Sequence, residues 1–192
     1  MSLLSWSILL AQLVTPQSAV APLKRIQAKT PVELVATHSS VGIAGQYANP
    51  SRELRKLIGA GLSGDDLYIF PDKTYIYCQW SDISPYAITD KGAWTFSGGV
   101  LELNSDSDIT WNTRLDRHFL AVRRLSFSKE ILLLGIETDL PFFEDEAGSD
   151  PQVSLLIAGK QRDATISPAA AAKLKAKLIR EYWRPALSQR KP

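Results

Sequence analysis

The sequence predicts a mainly β fold of the α+β class: an antiparallel β-meander barrel or half-barrel, with one helix before the main strands and an amphipathic helix at the C-terminus. Three observations carry this. Seven or eight short apolar or aromatic runs follow one another through local turn signals. No βαβ alternation and no repeat of fixed period interrupts them. A segment of clear helical period, with its own cap, closes the chain.

Length and composition fit one domain. The chain has 192 residues, 45% hydrophobic and 22% charged, with 11 Gly, 11 Pro and one Cys. This excludes a disordered, collagenous or disulfide-stapled chain. A domain of this size buries enough surface to need no metal or disulfide.

Residues 1–21 contain no Lys, Arg, Asp or Glu, and residues 3–14 form an almost continuous apolar run. That run is shorter than the roughly 20 residues needed to span a bilayer and has the length of a secretory h-region. Pro16 and the small residues Ala19-Val20-Ala21 follow where a cleavage region belongs. Residues 1–21 are therefore read as a signal peptide, and the protein is expected to be secreted or periplasmic, with no transmembrane helix in the mature chain. Residues 22–40, mixed in character and without a period, read as an N-terminal tether. Residues 41–192 read as the single β domain.

Within that domain, Gly42-Ile43-Ala44-Gly45-Gln46-Tyr47 opens as a strand. After Pro50, Ser51 is a plausible N-cap, and Leu54, Leu57, Ile58 and Leu62 recur on one helical face. Residues 67–70 and 74–80 flank Pro71-Asp72-Lys73 as a hairpin. Residues 94–96 and 100–103 flank Ser97-Gly98-Gly99, where glycine takes the positive φ of a tight turn. Residues 119–127 and 131–137 pair around Ser128-Lys129-Glu130. A last strand is expected at residues 153–158, after an acidic loop over 144–151. Ser167 and Pro168 then cap a helix over 168–184, rich in good helix formers.

The run Asp65-Asp66-Leu67-Tyr68-Ile69-Phe70-Pro71-Asp72-Lys73-Thr74-Tyr75-Ile76-Tyr77, then Asp90-Lys91-Gly92-Ala93-Trp94-Thr95-Phe96-Ser97-Gly98-Gly99-Val100-Leu101-Glu102-Leu103, resembles a strand pattern of uncharacterised secreted bacterial proteins with lipocalin-like β-meander barrels. The hairpin over 118–134 is similar to a downstream hairpin in many of them. The resemblance implies a lipocalin-like barrel and supplies no catalytic residues. Lipocalins proper carry G-x-W near the first strand, whereas Gly92-Ala93-Trp94 lies mid-chain.

No constellation for catalysis emerges, so the protein is expected not to be an enzyme, with no cofactor and no metal. His38 and His118 are eighty residues apart, without HxH, HExxH or CxxC spacing around them. The stretch Asn104-Ser105-Asp106-Ser107-Asp108 has alternate carboxylates but lacks the glycine and distal glutamate of a calcium loop. Glu144-Asp145-Glu146, near Asp150, reads as a solvated acidic loop. Cys78, in an alternating aromatic strand, reads as a packed thiol.

Two features point to binding. Alternation puts Tyr75, Tyr77 and Gln79 on one face of a strand and Ile76, Cys78 and Trp80 on the other. With Trp94 nearby, Tyr75, Tyr77, Trp80 and Trp94 are the candidate ligand-binding residues for a small apolar or amphipathic molecule. Charge is also divided: residues 160–192 carry nine Lys and Arg against two acids, whereas residues 22–159 carry thirteen against eighteen. At 100° per residue, Ala171, Leu174, Leu178, Ile179, Tyr182 and Trp183 fall on one arc of the last helix. Lys173, Lys177, Arg180 and Arg184 fall on the other. These four are the candidate partner-binding residues. The leading expectation is thus an exported, non-enzymatic binding protein for a small hydrophobic ligand. The alternative is an envelope or surface interaction protein whose basic helix meets an anionic surface or acidic partner. Nucleic acid is not an expected partner.

Overall fold

A computed structural model describes residues 17–35, 42–51, 55, 63–106, 115–124, 130–145 and 150–184. In chain order the elements are α1 (Gln17–Gln27), β1 (Val32–Leu34), β2 (Gly45–Asn49), β3 (Ser63–Ile69), β4 (Thr74–Ser81), β5 (Ala87–Ser97), β6 (Val100–Ser105), β7 (His118–Arg124), β8 (Ile131–Gly135), α2 (Asp139–Asp145), α3 (Pro151–Ala158), β9 (Lys160–Thr165) and α4 (Pro168–Tyr182).

Strands β2 to β9 form a closed eight-stranded antiparallel barrel in simple meander order, sealed where β9 pairs with β2. Closure leaves these strands no free edge along their paired length. β1 lies outside the meander and continues the β6 edge along the far part of β7, with Val32 opposite Arg124 and Leu34 opposite Val122.

The hairpins form where the turn residues dictate. Gly98 and Gly99 have φ of 57° and 83°, the left-handed conformation that costs glycine least. Lys73 also takes a positive φ in the β3–β4 turn, where Asp72 Oδ1 accepts from the Thr74 amide at 3.2 Å. Gly92 is required for a different reason: a Cβ there would overlap the backbone oxygen of Asn104 on β6. In β5, Asp90 pairs with Tyr77 and Ile88 with Cys78, so Thr89 is the extra residue of a β-bulge.

Three clusters make up the core. The barrel interior holds Tyr47, Leu67, Ile69, Tyr75, Trp94, Phe119 and Leu133 among others, all buried. Outside it, α1, α2 and α3 pack over β1, β7 and β8 around Ile26, Leu120, Leu132 and Phe143. On the other side, α4 lies over β3, β4 and β5, meeting Phe70, Ile76, Cys78 and Ile88. The alternation expected for β4 holds: Tyr75 and Tyr77 point inward, Ile76 and Cys78 outward. Both faces are apolar because a helix covers the outer one.

Several expectations are corrected. Residues 153–158, read as the last strand, are in α3. Asp150 caps this helix by accepting from the Gln152 amide at 2.8 Å, and Pro151 begins it. The true last strand is β9, Lys-Gln-Arg-Asp-Ala-Thr, which has no apolar alternation and forms because it closes the barrel between β2 and β8. The acidic loop is in part helical, since α2 runs to Asp145. The tether read over residues 22–40 carries the second half of α1 and all of β1, and Ile26 is fully buried. Of the helix expected after Pro50, Arg55 donates its amide to the Ser51 carbonyl at 2.9 Å, and most of the rest lies outside the described residues. So do residues 1–16, His38 and the turn at Ser128-Lys129. The C-terminal helix is present with its Ser167 cap and ends at Tyr182, Trp183 forming the C-cap.

Candidate functional site

The two ends of the barrel differ chemically. The β3–β4 turn end is apolar and plugged by Trp94, whose indole donates to the Phe70 carbonyl at 3.0 Å. The Lys73 ammonium stands 4.1 Å from the centre of the Trp94 ring.

The opposite end is polar. Lys160, the first residue of β9, turns inward and places Nζ 3.1 Å from Asp65 Oδ1 on β3, 5.9 Å from the Tyr77 ring centre and 5.8 Å from that of Phe119. Burial alone would lower the Lys160 pKa, but Asp65, Asp139 and Asp116 outweigh it and hold the ammonium protonated. Burial pushes the Asp65 and Asp139 carboxyls upward, only partly offset by Lys160. Asp116 is raised to about 6, first by burial and then by its acidic neighbours Asp139 and Glu137. Its Oδ2 accepts from the Thr138 hydroxyl at 2.9 Å. A second group surrounds Asp90, which accepts from Arg117 Nη1 at 2.9 Å and from the Ser105 hydroxyl. The same Arg117 nitrogen lies 3.4 Å from the Tyr75 hydroxyl, and Gln79 Nε2 lies 3.3 Å from that of Tyr77.

At the rim of this polar end a groove of about 530 Å³ runs along the outer wall. Trp80, Pro85, Ala87 and Ile88 give it an apolar surface, the Thr89 bulge and Gln79 add polar atoms, and Arg184 supplies a cation. Arg55 fixes the indole of Trp80 by lying 5.1 Å above the ring while pairing with Asp66 at 3.4 Å. The Thr89 hydroxyl is buried and has no hydrogen-bond partner among the described residues. The groove volume falls within the roughly 300 to 1,000 Å³ of small-molecule sites.

The candidate ligand residues are thus divided among three places. Tyr75 and Tyr77 lie in the barrel interior with their hydroxyls toward the polar end, Trp94 plugs the opposite end, and Trp80 alone of the four lines the groove. Lys173, Lys177 and Arg180 on α4, and Arg184 beyond it, are all exposed. Reading the sequence missed Lys160, Asp65, Asp116, Ile88 and Thr89. Their only sequence signal was the lysine that begins β9, and that segment was not read as a strand.

Cys78, His118 and Glu144 are each engaged within the protein. Burial pushes the Cys78 thiol up to about 12, which leaves it protonated and unreactive at neutral pH. His118 Nδ1 pairs with Glu137 at 2.6 Å. Glu144 pairs with Arg25 at 3.0 Å. Among the described residues no group of three or more His, Cys, Asp or Glu is placed to hold a metal ion, and no helix is long and apolar enough to cross a membrane. No known protein family matches the chain, and neither a curated protein nor a solved structure matches it.

Proposed function

We propose that this is an exported, non-enzymatic binding protein whose ligand is a small amphipathic anion, held in the groove between β4–β5 and the end of α4. The observation that carries the reading is the composition of that groove: Trp80, Pro85, Ala87 and Ile88 give it an apolar lining and Arg184 a cation. An apolar body would lie along the indole and Ile88, gaining about 25 cal/mol for each Å² removed from water. Its anionic head would meet the Arg184 guanidinium, the cation that lines the groove. Export is supported by the uncharged N-terminal segment with its apolar run at residues 3–14.

Calorimetric titration with anilinonaphthalene sulfonate, an apolar ring system bearing one sulfonate, tests this. The expected result is saturable binding, weakened about tenfold or more by Trp80→Ala and by Arg184→Gln separately. Absence of binding, or wild-type affinity in either variant, overturns the reading.

A further inference from the structure

The apolar arc of α4 is consumed by packing on the barrel, with Ala171 and Leu178 buried and Leu174, Ile179 and Tyr182 against them. This fixes the rotation of the helix and turns its basic arc outward. Lys173, Lys177 and Arg180 are exposed, and at 100° per residue they fall within about 60° of one another; exposed Arg184 follows beyond the cap. Exposed Ala169 and Ala176 flank the row. Lys173 and Lys177 make no ion pair among the described residues, and Arg180 pairs only with its neighbour Glu181 at 3.3 Å.

A second observation lies at the end of this row. The turn joining β4 to β5 carries Ile83 at its tip, 89% exposed. Ser81 at the end of β4 and Ser84 and Pro85 of that turn border the same groove as Arg184, and Tyr86 just beyond it meets the Tyr182 ring edge-on at 4.7 Å. The turn that carries the apolar tip therefore lies at the C-terminal end of α4.

We infer that this face docks on the surface of an anionic lipid bilayer, the basic row lying over the headgroups and Ile83 entering the interface. Charge alone would equally fit a soluble polyanion. The exposed Ile83, in the turn at the end of the same helix, favours the bilayer, which offers an apolar layer beneath an anionic one. Each cation near such a surface adds attraction that falls off within a Debye length, so binding must weaken with salt. The inference is independent of what fills the groove.

Flotation of the full chain with phosphatidylcholine vesicles, with and without phosphatidylglycerol, tests it. The protein should float only with vesicles containing phosphatidylglycerol, and less as salt is raised. Combined Lys173→Glu, Lys177→Glu and Arg180→Glu should abolish flotation while leaving anilinonaphthalene sulfonate binding intact, since none of the three lines the groove. Ile83→Ser should weaken flotation about tenfold. Val153→Glu with Ile157→Glu, on the exposed part of α3, should leave it unchanged. Flotation that survives the triple charge reversal, or is lost in the α3 variant instead, overturns the inference. So does capture by heparin beads without binding to vesicles.

Discussion

The ammonium of Lys160 lies 3.1 Å from the Asp65 carboxylate inside the barrel, and the two residues come from strands 95 positions apart in the chain. Lys160 is the charge that lets Asp65 and Asp139 sit in a protein interior. Removing it by Lys160→Met leaves both partly buried carboxyls without their counter-charge, and the expected loss is on the order of 2 kcal/mol at neutral pH, solvent screening part of the full effect. Both carboxyls already have folded pKa values raised above their unfolded ones, so their contribution is most favourable at low pH and is lost as pH rises. The deficit of the variant should therefore shrink toward acid pH, and Asp65→Asn added to Lys160→Met should recover part of it. Urea denaturation of the variants at neutral and acid pH measures this, and a pH-independent deficit would contradict it.

Asp116 gives a separate pH dependence. Its pKa is raised to about 6 in the folded protein, so the native state holds its proton where the unfolded chain has lost it. Stability from this group is present below the unfolded carboxyl pKa and is lost as pH rises through about 6. Asp116→Asn retains an oxygen for the Thr138 hydroxyl and removes the charge. It should flatten the stability profile between the two pKa values and stabilise the protein at neutral pH by on the order of 1 kcal/mol, solvent screening part of the full effect. Thermal melts of both proteins across that range decide the matter.

How much of this was legible in the sequence depended on whether a residue's partner was local. The aromatic strands around Tyr75 and Trp94 showed themselves because alternation and turn residues are written within ten positions. The C-terminal helix did so through its period and its Ser167-Pro168 cap. The run at residues 153–158 misled because a short apolar stretch suits a strand or a helix equally well. Asp150 and Pro151, a cap and a favoured first position, were the signals that distinguished them. β9 was illegible because its residues are polar and its strand state comes from β2 and β8 on either side. The same holds for the charged interior: Lys160 and Asp65 have no local relation, and only closure of the barrel brings them together. In the groove, Trp80 and Arg184 were each identified, but for different partners, and their convergence required the packing of α4.

Cys78 should be inert in the native state. Its thiol is buried against α4 and pushed up to about 12, whereas an unperturbed thiol near 8.5 is a few per cent ionised at neutral pH. Iodoacetamide should leave the folded protein unmodified over a time that fully alkylates the urea-unfolded chain, as read by intact mass. Equal rates in the two states would show the strand β4 to be accessible where the structure buries it.

Gly92→Ala tests the β5–β6 register. The new Cβ would overlap the Asn104 carbonyl oxygen, a backbone atom that cannot swing aside as a side chain can. Relief requires β5 and β6 to separate where Gly92 pairs with Ser105, and Ser105 also donates to Asp90 in the polar end. The substitution should cost about 2 kcal/mol or more, in the range of overpacked core sites. Gly98→Ala, in the exposed turn at the other end of the same hairpin, meets only a backbone preference at φ 57° and should cost about 1 kcal/mol. A reversed order would mean that the strands do not approach as described.

Trp94→Phe separates the two roles of the plug residue at the apolar end. Phenylalanine keeps much of the apolar volume but has no N–H, so the Phe70 carbonyl loses its indole donor. The Lys73 ammonium also loses the better of two ring faces for a cation. A buried hydrogen bond of this kind contributes about 1 kcal/mol, and truncation of the ring leaves a small void, so the combined cost should be roughly 2 kcal/mol. Because Trp94 stands at the end of the barrel opposite the groove, the variant should bind anilinonaphthalene sulfonate with wild-type affinity once folded. Unfolding in urea and calorimetric titration on the same preparation test both halves. Unchanged stability would remove the plug role, and weakened binding would place the ligand inside the barrel, against Tyr75, Tyr77 and Trp94, instead of along Trp80.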